Sequence, residues 1–197
     1  MRYLLCFGFL ILWILLLRVL KKANLLFWRF FFGSTGLFLL LFFLVQPVLT
    51  EPLGRCVAAL AGVVGNLTNT FSPFFRYGVL FIETAEGAMT LQIDIECSGI
   101  VEIMAYLSLL AFYRVYTRNE RVILAIVGVW CIVLANVLRI IIICEMIHFG
   151  GSGLYYLAHS LVGRLVFYAL SVVLYFYVFT KPQIIRMKVG GVTYGNS

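Results

Sequence analysis

A thiol, a guanidinium and an imidazole stand in apolar parts of this chain, where a membrane-spanning segment rarely carries polar groups. Cys97 lies within Glu-Cys-Ser-Gly, Arg139 within Asn-Val-Leu-Arg-Ile and His159 within Ala-His-Ser. An ionisable group inside a membrane is energetically costly, so it is by default a candidate for function. Brought together, these three groups would form a cysteine hydrolase or acyl-transfer centre.

The chemistry of such a centre gives each of the three residues a role. A thiolate is the nucleophile, and the exposed N–H groups of a helix N-terminus, where we expect Cys97 to lie, lower a thiol pKa. Glu96 opposes this effect by like-charge repulsion. Arg139 can supply the compensating cation or stabilise an oxyanion during acyl transfer. His159 can take or give the proton.

Five further polar residues are expected to support this site: Glu96, Ser98, Asn136, Glu102 and Arg164. Ser98 and Asn136 belong to the motifs of the thiol and the guanidinium. Glu102 and Arg164 fall inside predicted spans. An ion pair of Glu102 with Arg139 or with Arg164 is the structural alternative to a catalytic role for these charges.

Composition assigns the chain to the membrane class. Its 197 residues are 63% hydrophobic and only 12% charged, whereas soluble domains carry about 25% charged residues. The net charge of +7 does not indicate nucleic acid, because the Lys and Arg residues punctuate apolar runs and form no basic face. The five cysteines are odd in number and lack the spacing of a zinc site, so a disulfide framework is not expected.

Five apolar runs are predicted to span the membrane in a single integral domain over residues 1–197, which makes the chain an all-α polytopic membrane protein. The runs are residues 3–20, 30–49, 99–113, 122–147 and 154–179. They divide the chain into N-terminal helices over 1–71, a catalytic core over 75–180 and a cytoplasmic tail over 181–197.

Two segments between these runs need separate interpretations. Residues 56–71 are apolar but short for a span, and we interpret them as an interfacial or re-entrant helix. Residues 77–96 contain two short strands around a turn, the second with alternating apolar and polar residues. A small extracytoplasmic β-hairpin on the membrane surface, ending directly at Cys97, is therefore predicted. It carries Glu83, Glu86, Asp94 and Glu96.

The distribution of basic residues predicts the sidedness. If residues 56–71 do not cross, ten of the 15 basic residues lie on one side: Arg18, Lys21, Lys22, Arg29, Arg114, Arg118, Arg121, Lys181, Arg186 and Lys188. Only Arg2, Arg55 and Arg76 lie on the other side. We therefore expect a multi-pass cell-membrane protein with its N-terminus outside, its C-terminus in the cytoplasm and the Cys97 site facing outside.

No pattern in the sequence indicates a cofactor or a metal. Cys144 and His148 have the i, i+4 spacing of a ligand pair, but no further pair of ligands is evident, so helix-end packing is the preferred interpretation. Walker and dinucleotide glycine motifs are absent from the sequence. Two non-enzymatic classes remain as alternatives, a membrane scaffold or assembly factor and a small transporter. A transporter usually shows inverted repeats, and no repeat is visible here.

Taken in order, the three motifs resemble those of the exosortase/archaeosortase family. These are Glu-Cys-Ser-Gly-Ile at the start of a span, Asn-x-x-Arg-Ile late in the next and His-x-x-x-Gly early in the third. The resemblance covers roughly residues 75–180, and the chain would be a compact form, since many relatives are longer. It is specific because all three motifs occur together at the same ends of successive spans.

The resemblance implies a polytopic cysteine protease-transpeptidase with Cys97 as nucleophile, Arg139 as stabiliser and His159 as proton carrier. Its substrate would be an exported protein with a single span and a C-terminal sorting signal. Such a signal consists of a short motif, a transmembrane helix and a basic tail. Cleavage at the outer membrane face would pass the protein to a new anchor. The implied partners are this substrate and the lipid bilayer.

Overall fold

The computed structural model describes residues 2–84 and 87–184, with side chains described from Gly8 onward except at Phe75. Glu86 of the predicted hairpin and most of the predicted tail, including Arg186 and Lys188, lie outside the described residues.

Helices dominate the described chain. They are α1 (Arg2–Lys22), α2 (Leu26–Leu44), α3 (Gln46–Thr68), α4 (Ile95–Ser98), α5 (Ile100–Phe112), α6 (Arg118–Gly150) and α7 (Gly163–Tyr175). One continuous helical stretch, Ser152–Ile184, contains α7. In this stretch π-helical turns at Leu157–Val162 and Phe176–Thr180 flank α7.

Four helices in the described chain are long and apolar enough to cross a membrane. They are Leu26–Leu44, Gln46–Thr68, Arg118–Gly150 and Ser152–Ile184, and Ile100–Phe112 is a shorter apolar helix. The prediction of a mainly helical, polytopic membrane protein is thus confirmed. α6 rises about 27 Å between Arg121 and Arg139 at 1.5 Å per residue, close to the roughly 30 Å of a hydrocarbon core. The level of Arg121 is named the Arg121 end of the bundle. The level of Arg139, which contacts Cys97, is named the Cys97 end.

The helix boundaries near the two early prolines differ from the prediction. The predicted run 30–49 is divided, because α2 ends at Leu44 and α3 begins at Gln46. Pro47 lies in the first turn of α3, where a proline is tolerated since its missing N–H would have no partner there. Residues 56–68 are therefore part of a helix of 23 residues, and the prediction that this segment is a separate short helix is wrong.

α3 lies beside the Cys97 end of the bundle. A Cβ atom on Gly54 would approach the carbonyl oxygen of Ile93 to 3.0 Å, which puts the first half of α3 against the segment that leads to Cys97. Thr68, in its last turn, donates to Glu145 of α6 at 3.2 Å. Both contacts are near or beyond the level of Arg139. They favour the interfacial interpretation, although α3 is long enough to cross.

A three-stranded antiparallel sheet follows α3. Its strands are β1 (Phe71–Phe74), β2 (Val79–Thr84) and β3 (Gly87–Gln92), in the order β1-β2-β3. The hairpin of β2 and β3 confirms the prediction, and in its second run the buried Leu91 and Ile93 alternate with the exposed Thr90 and Gln92 as expected. The sequence prediction missed β1, a short edge strand that contains Pro73, as edge strands tolerate proline.

The sheet covers the last part of α6. His148 contacts the carbonyl oxygen of Glu83 at 2.5 Å, and Thr70 donates to Glu145 at 2.9 Å. The part of α6 that follows Arg139 is therefore covered by the sheet. It does not extend the lipid-facing span. Arg139 thus lies at the base of the sheet, close to α4, the short helix that contains Cys97.

Candidate active site

Cys97 sits in a single helical turn between the sheet and the first membrane helix of the core. Asp94 caps this turn, and its Oδ1 accepts from the backbone N–H groups of Glu96 at 3.0 Å and Cys97 at 3.2 Å. Gly99 ends the turn with φ +77°, a left-handed conformation that favours glycine. The Ser-Gly pair of the motif thus lets the chain turn from α4 into α5 immediately after the thiol.

The structure brings Cys97, His159 and Arg139 together. Sγ of Cys97 lies 3.0 Å from Nε2 of His159. Arg139 Nη2 donates to the same sulfur at 3.8 Å. Cys97 and Arg139 are almost fully buried, with exposed fractions of 1% and 3%. The thiol thus contacts both the imidazole and the guanidinium, an arrangement suited to a cysteine acyl-transfer centre.

His159 lies within the first π-helical turn of the last helical stretch. Such turns are rare and are frequently found at functional sites. Here the N–H of Gly163 donates to the carbonyl oxygen of Ala158, five residues earlier. The ring of His159 stacks on Tyr155 at 5.6 Å between centroids with 12° between the planes. The wide turn and the stacked phenol together orient the imidazole towards the thiol.

Arg139 is anchored from two further directions. Its Nη1 donates to the carbonyl oxygen of Glu96 at 3.0 Å, and its guanidinium lies 5.8 Å from the ring centroid of Phe167. A cation over an aromatic face is attracted by the ring quadrupole. The guanidinium therefore bridges the backbone and the sulfur of the Cys97 turn, with one N–H group directed to each.

Asn136 and Ser98 support the same turn without touching the reacting sulfur. Asn136 is fully buried, and its Nδ2 donates to the carbonyl oxygen of Cys97 at 2.6 Å. Ser98 Oγ donates to the carbonyl oxygen of Ile95 at 3.2 Å. Both residues act on backbone groups, so their contribution is to position Cys97. The Asn-x-x-Arg spacing puts Asn136 and Arg139 on one face of α6, where both reach α4.

The alternative ion pair of Glu102 with Arg139 or Arg164 is not formed among the described residues. Arg164 Nη2 instead pairs with Glu96 Oε2 at 3.0 Å, and both side chains are largely exposed, with 44% and 67% of their surface accessible. Arg139 contacts the Cys97 turn, as described above. Glu102 was suggested as a partner because the depth of each residue was estimated along its own helix. Such an estimate ignores how far a side chain reaches. The long side chain of Arg164 extends to the level of Glu96.

Burial raises the pKa of the Cys97 thiol to about 11, and this is the largest influence on it. The charge of Arg139 lowers the pKa, while Asp94 and Glu96 raise it. The expectation of a pKa depressed by a helix N-terminus therefore does not hold, because burial of the thiol outweighs the charges around it. The isolated site holds Cys97 as a neutral thiol at pH 7, and a base must remove its proton.

Three residues of the site were missed by the sequence prediction: Asp94, Tyr155 and Phe167. Asp94 had a usable signal, since an Asp three positions before the Cys matches a helix N-cap. The aromatic residues had none, because the chain has 11 Tyr and 18 Phe residues and only the packing distinguishes these two. Among the described residues no group of three or more His, Cys, Asp or Glu side chains could hold a metal ion.

The chain matches a known protein family. The family described as transmembrane exosortase matches residues 1–177, which is nearly the whole chain and includes all three motifs. No curated protein and no solved structure matches it. Proteins of this family are generally cysteine proteases or transpeptidases of the membrane. The chain belongs to the transmembrane exosortase family.

Proposed function

We propose that this protein is a membrane-embedded cysteine protease-transpeptidase that cleaves the C-terminal sorting signal of exported proteins. The contact of 3.0 Å between Cys97 Sγ and His159 Nε2 is the observation that carries the proposal. A buried thiol of raised pKa that touches an imidazole has a base in place to remove its proton. The guanidinium of Arg139 adds a fixed positive charge beside the reacting atoms.

Acylation begins with transfer of the Cys97 thiol proton to Nε2 of His159. The sulfur attacks the carbonyl carbon of the scissile peptide, and the carbonyl oxygen becomes an oxyanion. Arg139 stabilises the negative charge as it moves from sulfur to oxygen. The oxyanion then collapses, the C–N bond breaks and His159 donates its proton to the leaving amine. The substrate remains attached to Cys97 as a thioester.

Deacylation uses the same three groups in reverse. An incoming amine or water gives its proton to His159 and attacks the thioester carbon. The C–S bond breaks, and the thiolate takes the proton back from the imidazolium. An amine acceptor gives transpeptidation, and water gives hydrolysis. The protein ends the cycle with a neutral thiol and a neutral imidazole, as at its start.

The proposed substrate has a single span followed by a basic tail, and its short cleavage motif meets Cys97 at the outer membrane face. The distribution of basic residues supports this sidedness, because Arg29, Arg114 and Arg121 surround one cavity at the end remote from Cys97. Positive residues favour the cytoplasmic side. The Cys97 end, with its acidic residues Asp94 and Glu96, then faces outside.

Co-expression with a tagged candidate substrate tests the proposal. The substrate is a protein from a neighbouring reading frame that ends in a short motif, one apolar helix and a basic tail. We expect cleavage by the unmodified protein, no cleavage by Cys97→Ala, and normal cleavage by Cys131→Ser, which changes an exposed thiol. Mass spectrometry of the new C-terminus locates the cut. Full processing by Cys97→Ala would reject the proposal.

A further inference from the structure

Three arginines line a cavity at the end of the bundle remote from Cys97. The cavity has a volume of about 430 Å³ and is lined by Arg29 of α2, Arg114 after α5 and Arg121 of α6. The remaining lining side chains are apolar or neutral, and no acidic residue of the described chain is among them. Three positive charges from separate elements therefore converge on one space.

Among the described residues, no carboxylate forms an ion pair with the three arginines of this cavity. Arg121 is fixed by backbone carbonyl groups, with Nη1 donating to Ala111 at 3.2 Å and Nη2 to Tyr113 at 3.1 Å. Over all the residues that the structure describes, the two ion pairs are Arg55–Glu51 and Arg164–Glu96. Arg29 and Arg114 take part in neither. The cavity is thus preformed for a ligand of negative charge.

An apolar groove continues directly from the arginine cavity. It has a volume of about 670 Å³ and shares Phe30, Tyr113 and Gln183 with the cavity. Leu109 lies on one wall and Val172 on the other. The groove exists because α2 packs on α5 whereas the last helical stretch packs mainly on α6. The two walls therefore do not close on each other.

We propose that this composite site binds an anionic phospholipid. Its phosphate would lie among Arg29, Arg114 and Arg121, and an acyl chain would follow the groove past Val172. The positively charged cavity matches the phosphate of such a lipid, and the apolar groove that opens from it matches an acyl chain. The basic tail of a sorting signal fits less well, because the arginines repel it. The site is independent of the proposed catalysis.

Lipid retention tests the site. The full-length protein, purified in detergent and reconstituted with phosphatidylcholine, is titrated with phosphatidylglycerol, and bound lipid is counted by native mass spectrometry. We expect phosphatidylglycerol to be retained and phosphatidylcholine to be lost. The double variant Arg29→Gln/Arg114→Gln should weaken retention by about tenfold or more, since two of the three basic residues that attract the anionic headgroup are lost. Arg118→Gln is the matched control, because Arg118 is exposed and does not line the cavity.

A second pair of variants tests the groove. Val172→Trp fills it and should weaken retention of phosphatidylglycerol, while Val122→Trp, at a similarly exposed position outside the groove, should not. Thermal unfolding of each variant without added lipid verifies that it is folded. Equal retention of both lipids would overturn the proposal. An equal loss of retention in Arg118→Gln would overturn it too. So would a rise in Tm with inorganic phosphate alone that equals the rise with phosphatidylglycerol.

Discussion

Sγ of Cys97 lies 3.0 Å from Nε2 of His159, although the two residues are 62 positions apart in the chain. One capped turn carries the thiol, one π-helical turn carries the imidazole, and both pack on α6. The contact thus depends on local backbone features as much as on the two side chains. Substitutions that alter those features, and not only the reacting groups, should affect activity.

Replacing Arg139 by Lys should reduce turnover by about 10² or more, the usual cost of losing one stabilising donor. The guanidinium directs separate N–H groups to Glu96 and to the sulfur of Cys97. A lysine ammonium is a point charge and cannot reproduce this planar fork. Cleavage rates with the tagged substrate measure the effect. Arg164→Lys is the control, since it keeps an exposed ion pair and should remain active. Near-normal turnover of Arg139→Lys would mean that any cation suffices.

Replacing Asn136 by Ala should destabilise the protein by about 1–3 kcal/mol, because the buried carbonyl group of Cys97 loses its donor. Activity should fall as well, since Asn136 positions the Cys97 turn. Denaturant unfolding in detergent gives the stability change, and substrate cleavage gives the activity. Asn66→Ala changes an exposed amide of α3 and should alter neither. Unchanged stability and activity in Asn136→Ala would show that this hydrogen bond is dispensable.

Gly163→Ala should displace His159. It should therefore lower the rate of substrate cleavage strongly, with a smaller effect on the free energy of unfolding. A Cβ at residue 163 would lie 2.7 Å from Cδ1 of Ile143 and 3.0 Å from the carbonyl oxygen of Ala158. The second contact involves the π-helical turn itself, so the turn must shift. Gly153→Ala is the control, because no atom lies within 4 Å of the added methyl group. Activity of both variants is measured by substrate cleavage.

A second substitution separates crowding from other causes in that experiment. Shortening Ile143 to Val removes Cδ1, the atom nearest to the added methyl group. Activity of Gly163→Ala/Ile143→Val should therefore exceed that of Gly163→Ala. No recovery would leave the backbone contact with Ala158 as the dominant one. Full activity of Gly163→Ala alone would contradict the positional role of this glycine.

The three residues of the candidate site could be singled out from sequence without knowledge of packing. Arg139 and His159 are polar within apolar runs, and Cys97 lies directly before one. The helical class and the hairpin followed in the same way, from apolar length and from alternation. Their common feature is that the signal is contained within one segment of the chain.

Properties that depend on packing between segments could not be predicted in this way. The partner of Arg164 is Glu96 and not Glu102, because the reach of a side chain across helices decides it. The pKa of Cys97 is raised because burial outweighs its position in a helical turn. The extent of α3 was missed because Pro47 and Pro52 suggest a break, whereas Pro47 lies in the first turn of the helix and Pro52 lies inside it. The first two of these errors have a tertiary cause.

Replacing Glu96 by Gln should lower the pKa of Cys97 below its value of about 11, because the carboxylate of Glu96 raises it. At a given pH below 11 the thiolate fraction then increases, and alkylation becomes faster. Arg164→Gln should have the opposite effect, since Arg164 lowers the same pKa. Rates of iodoacetamide alkylation across pH 7–11, followed by intact mass with the other cysteines replaced by Ser, measure both shifts.

Salt dependence and a distant control test the cause of that shift. Glu96 and Arg164 are largely exposed, so salt screens their charges and high ionic strength should bring the profiles of both variants closer to the original. Glu51→Gln removes an exposed carboxylate that is paired with Arg55 and should leave the profile unchanged. A higher pKa in Glu96→Gln would contradict the electrostatic account. It would mean that Glu96 holds Arg164 near the thiol, so that losing the carboxylate removes a stabilising cation.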